Sequence, residues 1–425
     1  MIDCYMSEEL KKEYEIKDRD FYKDIKLGAP IYDNALVLPP ILRKDGGGNF
    51  FGGVVDSEGV YVESSAQIRD NVKNMYGAYE ADQVDESGKE VVYIGVIENH
   101  WGHFMLEYVA RLWYVMDNPD VEVVYVANKD LIKEIWQFIK LLDLDIGKFK
   151  RVEKPTRFKK VIIPDVSAIL REFYTDEFVK VYSKIDESVE PVHFDKVYFT
   201  RTVFEARMKG EDNIEEYFRC LGYKVIAPET LPVVEQIAIV KGCKEFASIS
   251  GTVAHNLLFA RKGTKVTLLE RSSSVNVAQC MVNQIKEIKA TIVDVSRAIL
   301  PVEISDGPFL VGINNYFVEY CKASDFPVPE LKELSNYEKL WFLLRWKDKY
   351  INKKDYLDKT TKIPLKKAVD LPAAMVMIEE AEKKPRLGFK IRMWYYGLLC
   401  VFARGKTKKK FNILRRENRF NYKAL

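Results

Sequence analysis

The stretch Asn99-His100-Trp101-Gly102-His103-Phe104-Met105-Leu106-Glu107 holds two of only four histidines in a 425-residue chain, with a carboxylate four positions after the second. His103 and Glu107, at i and i+4, share one face of a helix and can touch. A neutral imidazole with an ordinary pKa of about 6.5 suits a proton acceptor, and a neighbouring carboxylate can orient or charge it. The reverse assignment is also open. His100, His103 and Glu107 at i, i+3 and i+7 also put three ligand types on one helical face, which could seed a zinc site. Against a metal stand Gly102 and the neighbouring aromatics, which read as the start of a helix. No His-Glu-x-x-His motif occurs, and only His193 and His255 remain as further imidazoles. A structural role, with the histidines hydrogen-bonded at a helix start, is the plain alternative.

A second group lies at Ser250-Gly251-Thr252, between an apolar run ending at Ser250 and a helix-like segment opening at Thr252. A glycine there lets a ligand approach the backbone, and free N–H groups at a helix start favour an anion such as a diphosphate. The alternative is a tight turn with an N-cap. Thr200-Arg201 closes an earlier strand, Arg207 follows it, and Glu270 closes a later one. If these strand ends meet, two guanidiniums can face phosphate oxygens while a carboxylate accepts ribose hydroxyls. His255 and Asn256 follow the Gly251 turn; His255 is either a packed residue or a contact to a ligand in that crevice. No Gly-x-Gly-x-x-Gly motif is present, which argues against a dinucleotide dehydrogenase.

The elements that must hold these groups follow from periodicity. Residues 1–90 alternate glycine clusters with short β-branched and aromatic runs, as hairpins do. "EVVYIGVI" reads as a buried strand, "HWGHFMLEYVARLWYVM" as a helix, "VEVVYVAN" as a strand, "DLIKEIWQFIKLLDLD" as a helix and "KKVIIPD" as a strand. From Asp195 the alternation restarts and runs through "KVYFTR", "EDNIEEYFRCLG", "YKVIAP", "PVVEQIAIVKGC", "KEFASIS", "TVAHNLLFARKG" and "KVTLLER". That pattern predicts a doubly wound α/β unit with its ligand site at the carboxyl ends of the strands. Beyond Pro301 the strand signals fade and the chain reads as helical.

The segment from "VYFTR" to "KVTLLE" resembles the C-terminal half of glycosyltransferase family 61. Arg201, Arg207, Glu211, Gln236, Gly251, Asn256, Phe259, Gly263 and Glu270 fall on the family's pattern. Thr252 stands where alanine is usual, Ser250 where histidine is common, and Gly210 where asparagine is. Upstream, His103, Glu107 and Arg111 match the frame of the bacterial branch that builds capsular and surface polysaccharide, with His100 in place of asparagine. The similarity extends over about residues 30 to 295.

The resemblance implies a GT-B-like α/β fold: two Rossmann-like domains facing across a cleft, with a helical C-terminal extension. On that frame residues 1–90 form a β-rich lead joined to the first domain, 91–190 the acceptor domain, 195–300 the donor domain and 301–425 the extension. It further implies an inverting hexosyl or pentosyl transfer from a nucleotide sugar to a glycan or lipid-linked glycan, with no metal or other cofactor. His103 and Glu107 would then be catalytic. Arg201, Arg207, Ser250, Gly251, Thr252, His255, Asn256 and Glu270 would bind the donor, and His100, Trp101 and Arg111 the acceptor. A GT-B-like enzyme moving a pyruvyl or phosphoryl group, or an inactive glycan-binding module, are the alternatives.

Composition bounds the setting. With 47% hydrophobic and 30% charged residues the sequence is that of a globular protein. Six cysteines carry no Cys-x-x-Cys spacing and fit reduced thiols. No apolar run is long enough to span a membrane, and the N-terminus has no signal-peptide core. The expected location is cytoplasmic. Between Lys383 and Leu425 there are fourteen Lys or Arg and one acid, so the rest of the chain is net acidic. The apolar run Trp394-Tyr395-Tyr396 to Phe402 precedes Arg404, Lys406, Lys408, Lys409 and Lys410, which suggests peripheral attachment to an anionic membrane surface. No nucleic-acid recognition fold accompanies these cations.

Overall fold

The computed structural model describes residues 3–42, 50–69, 72–73, 75, 77–202, 208–272, 274–302 and 307–352, with isolated positions 376, 377 and 395. Arg207 and the basic C-terminal segment lie outside the described residues. Two six-stranded sheets dominate. The first comprises β2 (Ile31–Leu42), β3 (Phe50–Val55), β4 (Asp85–Val96), β5 (Glu122–Val126), β6 (Phe149–Arg151) and β7 (Thr156–Ile162), in the order β3-β2-β7-β4-β5-β6. Its β7, β4, β5 and β6 run parallel, while β2 pairs antiparallel with β7 and with β3, as hairpin-like glycine spacing leads one to expect. Strand β4 is buried from Val91 to Val96, the continuous apolar run of a strand covered on both faces.

The second sheet is parallel throughout: β1 (Cys4–Tyr5), β8 (Phe194–Phe199), β9 (Lys224–Ile226), β10 (Cys243–Ile249), β11 (Lys265–Glu270) and β12 (Ala290–Asp294). Their spatial order is β1-β12-β11-β10-β8-β9. Counting from β8 along the chain this is the order 2-1-3-4-5, with β1 added at one edge. Strand order therefore reverses between β8 and β10, and a ligand crevice is expected outside their carboxyl ends. The resemblance joins residues 1–90 to the first domain, whereas β1 pairs with β12 of the second sheet and Tyr14 of the following α1 (Glu8–Lys17) is buried in the core next to it. A two-residue strand has no periodicity of its own to announce it.

Alternation along each strand divides the second sheet's side chains between two cores. Phe199, Phe246 and Leu268 face a core shared with Val92 and Ile94 of β4. Between the sheets lie α4 (Lys133–Leu141), α5 (Asp176–Ser188) and α7 (Val233–Gly242), where Tyr182 and Phe138 meet Phe259 at ring-centroid distances of 5.6 and 6.5 Å. Tyr198, Ile249, Leu269 and Val293 face the other way, into a core built with α6 (Glu211–Cys220), α9 (Asn315–Ala323) and α10 (Asn336–Trp346). Trp341, Trp346 and Tyr350 are fully buried there, so residues 307–352 form a covering layer of the second sheet. Burial of each such ring contributes on the order of 2–3 kcal/mol. Helix α10 begins at a capping box of Ser335 and Glu338.

Two predicted helices differ in detail. The one over residues 100–117 is broken into α2 (Trp101–Leu106), a 3-10 turn (Tyr108–Arg111) and α3 (Leu112–Asp117), because Glu107 adopts φ −129° and ψ −50°. The segment after Gly251 is a six-residue 3-10 turn, Ala254–Phe259, buried on every side. A regular helix dipole is therefore not available at Thr252. Among the described residues no helix is long and apolar enough to cross a membrane.

Candidate active site

His100 caps α2: its Nδ1 accepts the His103 backbone N–H at 3.3 Å. The helix ends at Glu107, whose N–H donates to the His103 carbonyl at 2.8 Å and whose side chain folds back to His103. His103 Nδ1 and Glu107 Oε2 are 2.8 Å apart. The same carboxylate accepts two bonds from Arg69, Nε to Oε1 at 2.5 Å and Nη2 to Oε2 at 2.6 Å. Burial alone raises the Glu107 pKa, but the bonds from His103 and Arg69 and their charges outweigh it and hold the carboxyl below its ordinary value. An ionised Glu107 accepts only, so neutral His103 carries its proton on Nδ1 and leaves the Nε2 lone pair open. The imidazole side chain is 27% exposed while the carboxylate is 6% exposed, so only the histidine reaches solvent.

The pair sits against the second sheet. A Cβ on Gly102 would lie 2.8 Å from Thr252 Oγ1, so glycine is what permits this approach. Trp101 stacks on Phe104 at 5.7 Å and meets Phe138 edge-on at 6.0 Å, which anchors α2 in the shared core. Arg111 is buried, donating from Nε to Pro164 O at 2.7 Å and from Nη2 to Ser64 O at 2.5 Å. It ties together the backbone around the broken helix and also forms part of a cavity wall behind Glu107. The trio His100, His103 and Glu107 is not arranged as a metal triad, since Glu107 is saturated by Arg69 and His103. Among the described residues no group of three or more His, Cys, Asp or Glu side chains could hold a metal ion.

At the carboxyl ends of β8 and β10, Glu211 accepts the Arg201 N–H at 3.1 Å and the Tyr198 hydroxyl at 3.0 Å, while Glu215 accepts the hydroxyls of Thr200 and Thr202 at 2.9 Å. These bonds fix the loop that carries Arg201. Gly251 has φ 132°, a backbone state that suits glycine, and a Cβ there would meet Arg271 Nη2 at 2.8 Å. Arg271 lies over Phe309, 4.0 Å from the ring centre. Ser250 Oγ accepts from Asn276 at 3.2 Å. Glu270 is buried with Oε2 unpartnered; burial pushes its carboxyl up to about 7, opposed by the Ser250 hydroxyl and reinforced by Asp294.

His255 is buried, with Nδ1 3.1 Å from Gln279 Oε1, and Gln279 in turn donates to Asn283 at 2.9 Å. Burial lowers its pKa to about 3 against the Gln279 bond, and His103 and His100 lie close enough for their charges to lower it further. Three of the four histidines thus converge where α2 meets the Gly251 turn, and His255 is uncharged at neutral pH. Asn256 closes its own turn by donating to Val253 O at 3.0 Å, and Gln236 donates to Leu231 O at 3.1 Å. Both therefore hold backbone in place.

Two charged residues escaped the sequence analysis. Arg69 lies 38 positions before Glu107, in a stretch without periodic signal. Arg271 could have been found, because it directly follows Glu270 at a strand end.

A parallel sheet whose strand order reverses beside the Gly251 turn, with a His–Glu pair packed against that turn, has the layout of a doubly wound α/β ligand site. Residues 101–267 match the family model described as Glycosyltransferase 61. This stretch is a glycosyltransferase family 61 domain, and the protein is a glycosyltransferase. The matched segment contains His103, Glu107 and Gly251 but neither Arg69 nor Glu270. A search of curated proteins finds no match to the chain.

Proposed function

We propose that the protein transfers a sugar from a nucleotide-sugar donor to a glycan hydroxyl with inversion at the anomeric carbon and without a metal. His103 Nε2 takes the acceptor proton as that oxygen attacks C1. The bond from C1 to the diphosphate oxygen breaks, and its electron pair leaves with the nucleoside diphosphate. Glu107, ionised and held by Arg69, keeps the His103 proton on Nδ1 and stabilises the imidazolium as it forms. Glu107 itself is a poor base, because both oxygens already accept bonds.

The donor lies in the crevice between β8 and β10 in a GT-B-like arrangement, with Arg201, Arg207 and the Ser250-Gly251-Thr252 turn at the diphosphate. Arg271 joins them as a cation beside Gly251. Glu270 accepts ribose hydroxyls, and His255 and Asn256 border the sugar. The acceptor approaches from the first sheet, past His100, Trp101 and Arg111. The observation that carries this reading is the contact of Gly102 with Thr252, which sets the His103 pair against the switch-point turn.

The acceptor is proposed to be a growing, lipid-linked cell-surface polysaccharide, reached from the cytoplasmic face through the basic C-terminal segment. Truncation after Arg404 should then weaken binding to anionic liposomes, and unchanged binding refutes the membrane role. For the donor, thermal stabilisation against a panel of nucleoside diphosphates and nucleotide sugars should show one base favoured by several degrees. Stabilisation by none of them would favour transfer of a non-sugar group instead.

A further inference from the structure

Helix α8 (Val277–Ile285) follows the strand end at Glu270 and packs against the turn that carries His255. Asn276 at its N-cap, Gln279 and Asn283 stand at i, i+3 and i+7 on one helical face, and all three side chains are buried. Asn276 donates to Ser250 Oγ at 3.2 Å and Gln279 meets His255 at 3.1 Å, so α8 holds the Gly251 turn on both sides. A buried face of amides is costly unless each group is answered. These bonds also have a direction. Gln279 Nε2 donates to Asn283 Oδ1 at 2.9 Å, which leaves Gln279 Oε1 facing the imidazole. An amide oxygen only accepts, so His255 carries its proton on Nδ1 and a lone pair on Nε2. No described residue meets Nε2, yet it is not among the sealed polar atoms of the interior. The ring lies where α2 meets the Gly251 turn, close enough to His100 and His103 for their charges to act on it.

We propose that α8 fixes the His255 tautomer through Gln279 and Asn283, so that Nε2 is a standing acceptor for one hydroxyl of the donor's sugar ring. Resting on the reading of the switch-point crevice as the donor site, the tautomer decides which part of the donor lies where. A ring nitrogen without a proton repels ionised diphosphate oxygens, which also only accept, and favours a group that donates. The diphosphate therefore belongs on the Gly251 side and the sugar at His255. His103 makes the contrast. Its Nδ1 proton faces an ionised carboxylate that stabilises an imidazolium, whereas the Nδ1 proton of His255 faces a neutral amide in a buried setting. Burial keeps His255 uncharged, with its pKa lowered to about 3. One imidazole can take a proton, and the other can only accept a hydrogen bond. Gln279 and Asn283 are thus positioning residues, and a sugar lacking that hydroxyl loses its bond to Nε2.

Long-range proton–nitrogen NMR on the full chain with isotope-labelled histidine reads the tautomer directly; only four imidazoles contribute, and His255→Asn identifies the signal. The wild type should show His255 protonated on Nδ1 alone at about pH 7. A second arm measures affinity for nucleoside diphosphates and for the nucleotide sugar that stabilises the wild type most. Gln279→Met should weaken the nucleotide sugar by about five- to tenfold, the worth of one hydrogen bond, and leave the matching nucleoside diphosphate unchanged within about twofold. Gln279→Glu, which keeps an oxygen at Nδ1, should restore most of the lost affinity. A wild-type His255 protonated on Nε2 overturns the proposal, and that result needs no variant to fold. So does a Gln279→Met protein that binds the nucleotide sugar as tightly as wild type, or one that loses both ligands equally. Failure of the donor reading looks different: a wild type that binds neither ligand sinks the donor site and the proposal together, whereas intact nucleotide-sugar binding in Gln279→Met sinks the proposal alone.

Discussion

Glu107 and Glu270 are both almost completely buried, yet their carboxyls move in opposite directions. Glu107, on the first half of the molecule, is held below its ordinary pKa by Arg69 and His103; Glu270, at a strand end of the second sheet, is pushed up to about 7. Burial penalises the charge in both cases, and the partners decide the outcome. The first site is complete within the protein, with each Glu107 oxygen engaged. The second keeps an unpartnered carboxylate oxygen beside a glycine turn and a strand-order reversal, the condition of a site that a ligand finishes. On the proposed reading, the first carboxylate serves proton transfer and the second serves binding.

The largest effect expected on stability comes from breaking the completed site. Arg69→Gln leaves a buried carboxylate without its cation and should destabilise the fold by about 3–5 kcal/mol at neutral pH, measured by urea unfolding. The Glu107 contribution is present above the unfolded carboxylate pKa and is lost as pH falls through its depressed folded value. The difference between Arg69→Gln and wild type should therefore shrink on acidification. A variant as stable as wild type at pH 7 would show that the ion pair does not organise the site.

Glu270 has the opposite linkage. Its folded pKa lies above the unfolded one, so the protonated form favours the native state, and that stability is lost as pH rises through about 7. Glu211, also raised to about 7 by burial, acts in the same direction. Glu270→Gln should be more stable than wild type above pH 7, by about 1–3 kcal/mol, while binding nucleotide more weakly. Equal pH dependence of the melting temperature in both proteins would remove the distinction between the two carboxylates. A smaller effect tests the seam between the halves. Gly102→Ala should cost about 1–2 kcal/mol by overpacking against Thr252. Thr252→Ala in the same chain should restore most of it, and additive losses would argue against the contact.

Much of the second sheet was legible in the sequence, because parallel strands covered on both faces leave apolar runs, and Gly222 and Gly263, with φ 84° and 90°, punctuate them. The His103–Glu107 contact was legible too, from i,i+4 spacing. The break at Glu107 was not, since it coincides with a bond to an arginine 38 positions away that no local period reports. Ala254–Phe259 is buried all round, His255 and Asn256 included, and so offers no solvent face by which a 3-10 turn can be told from a helix. The resemblance marks Arg111 as an acceptor contact; that its guanidinium also donates to two backbone carbonyls is something only the folded chain reveals.

The central claim is that His103 of the first half takes a proton from an acceptor while the second half holds the donor. Single-turnover transfer with the preferred nucleotide sugar, in His103→Ala beside wild type, tests it most directly. The predicted result is a rate lower by about 10²–10⁴-fold with the dissociation constant for the nucleotide sugar unchanged within twofold. Transfer retained within a few-fold, or a loss explained entirely by weaker donor binding, would contradict it.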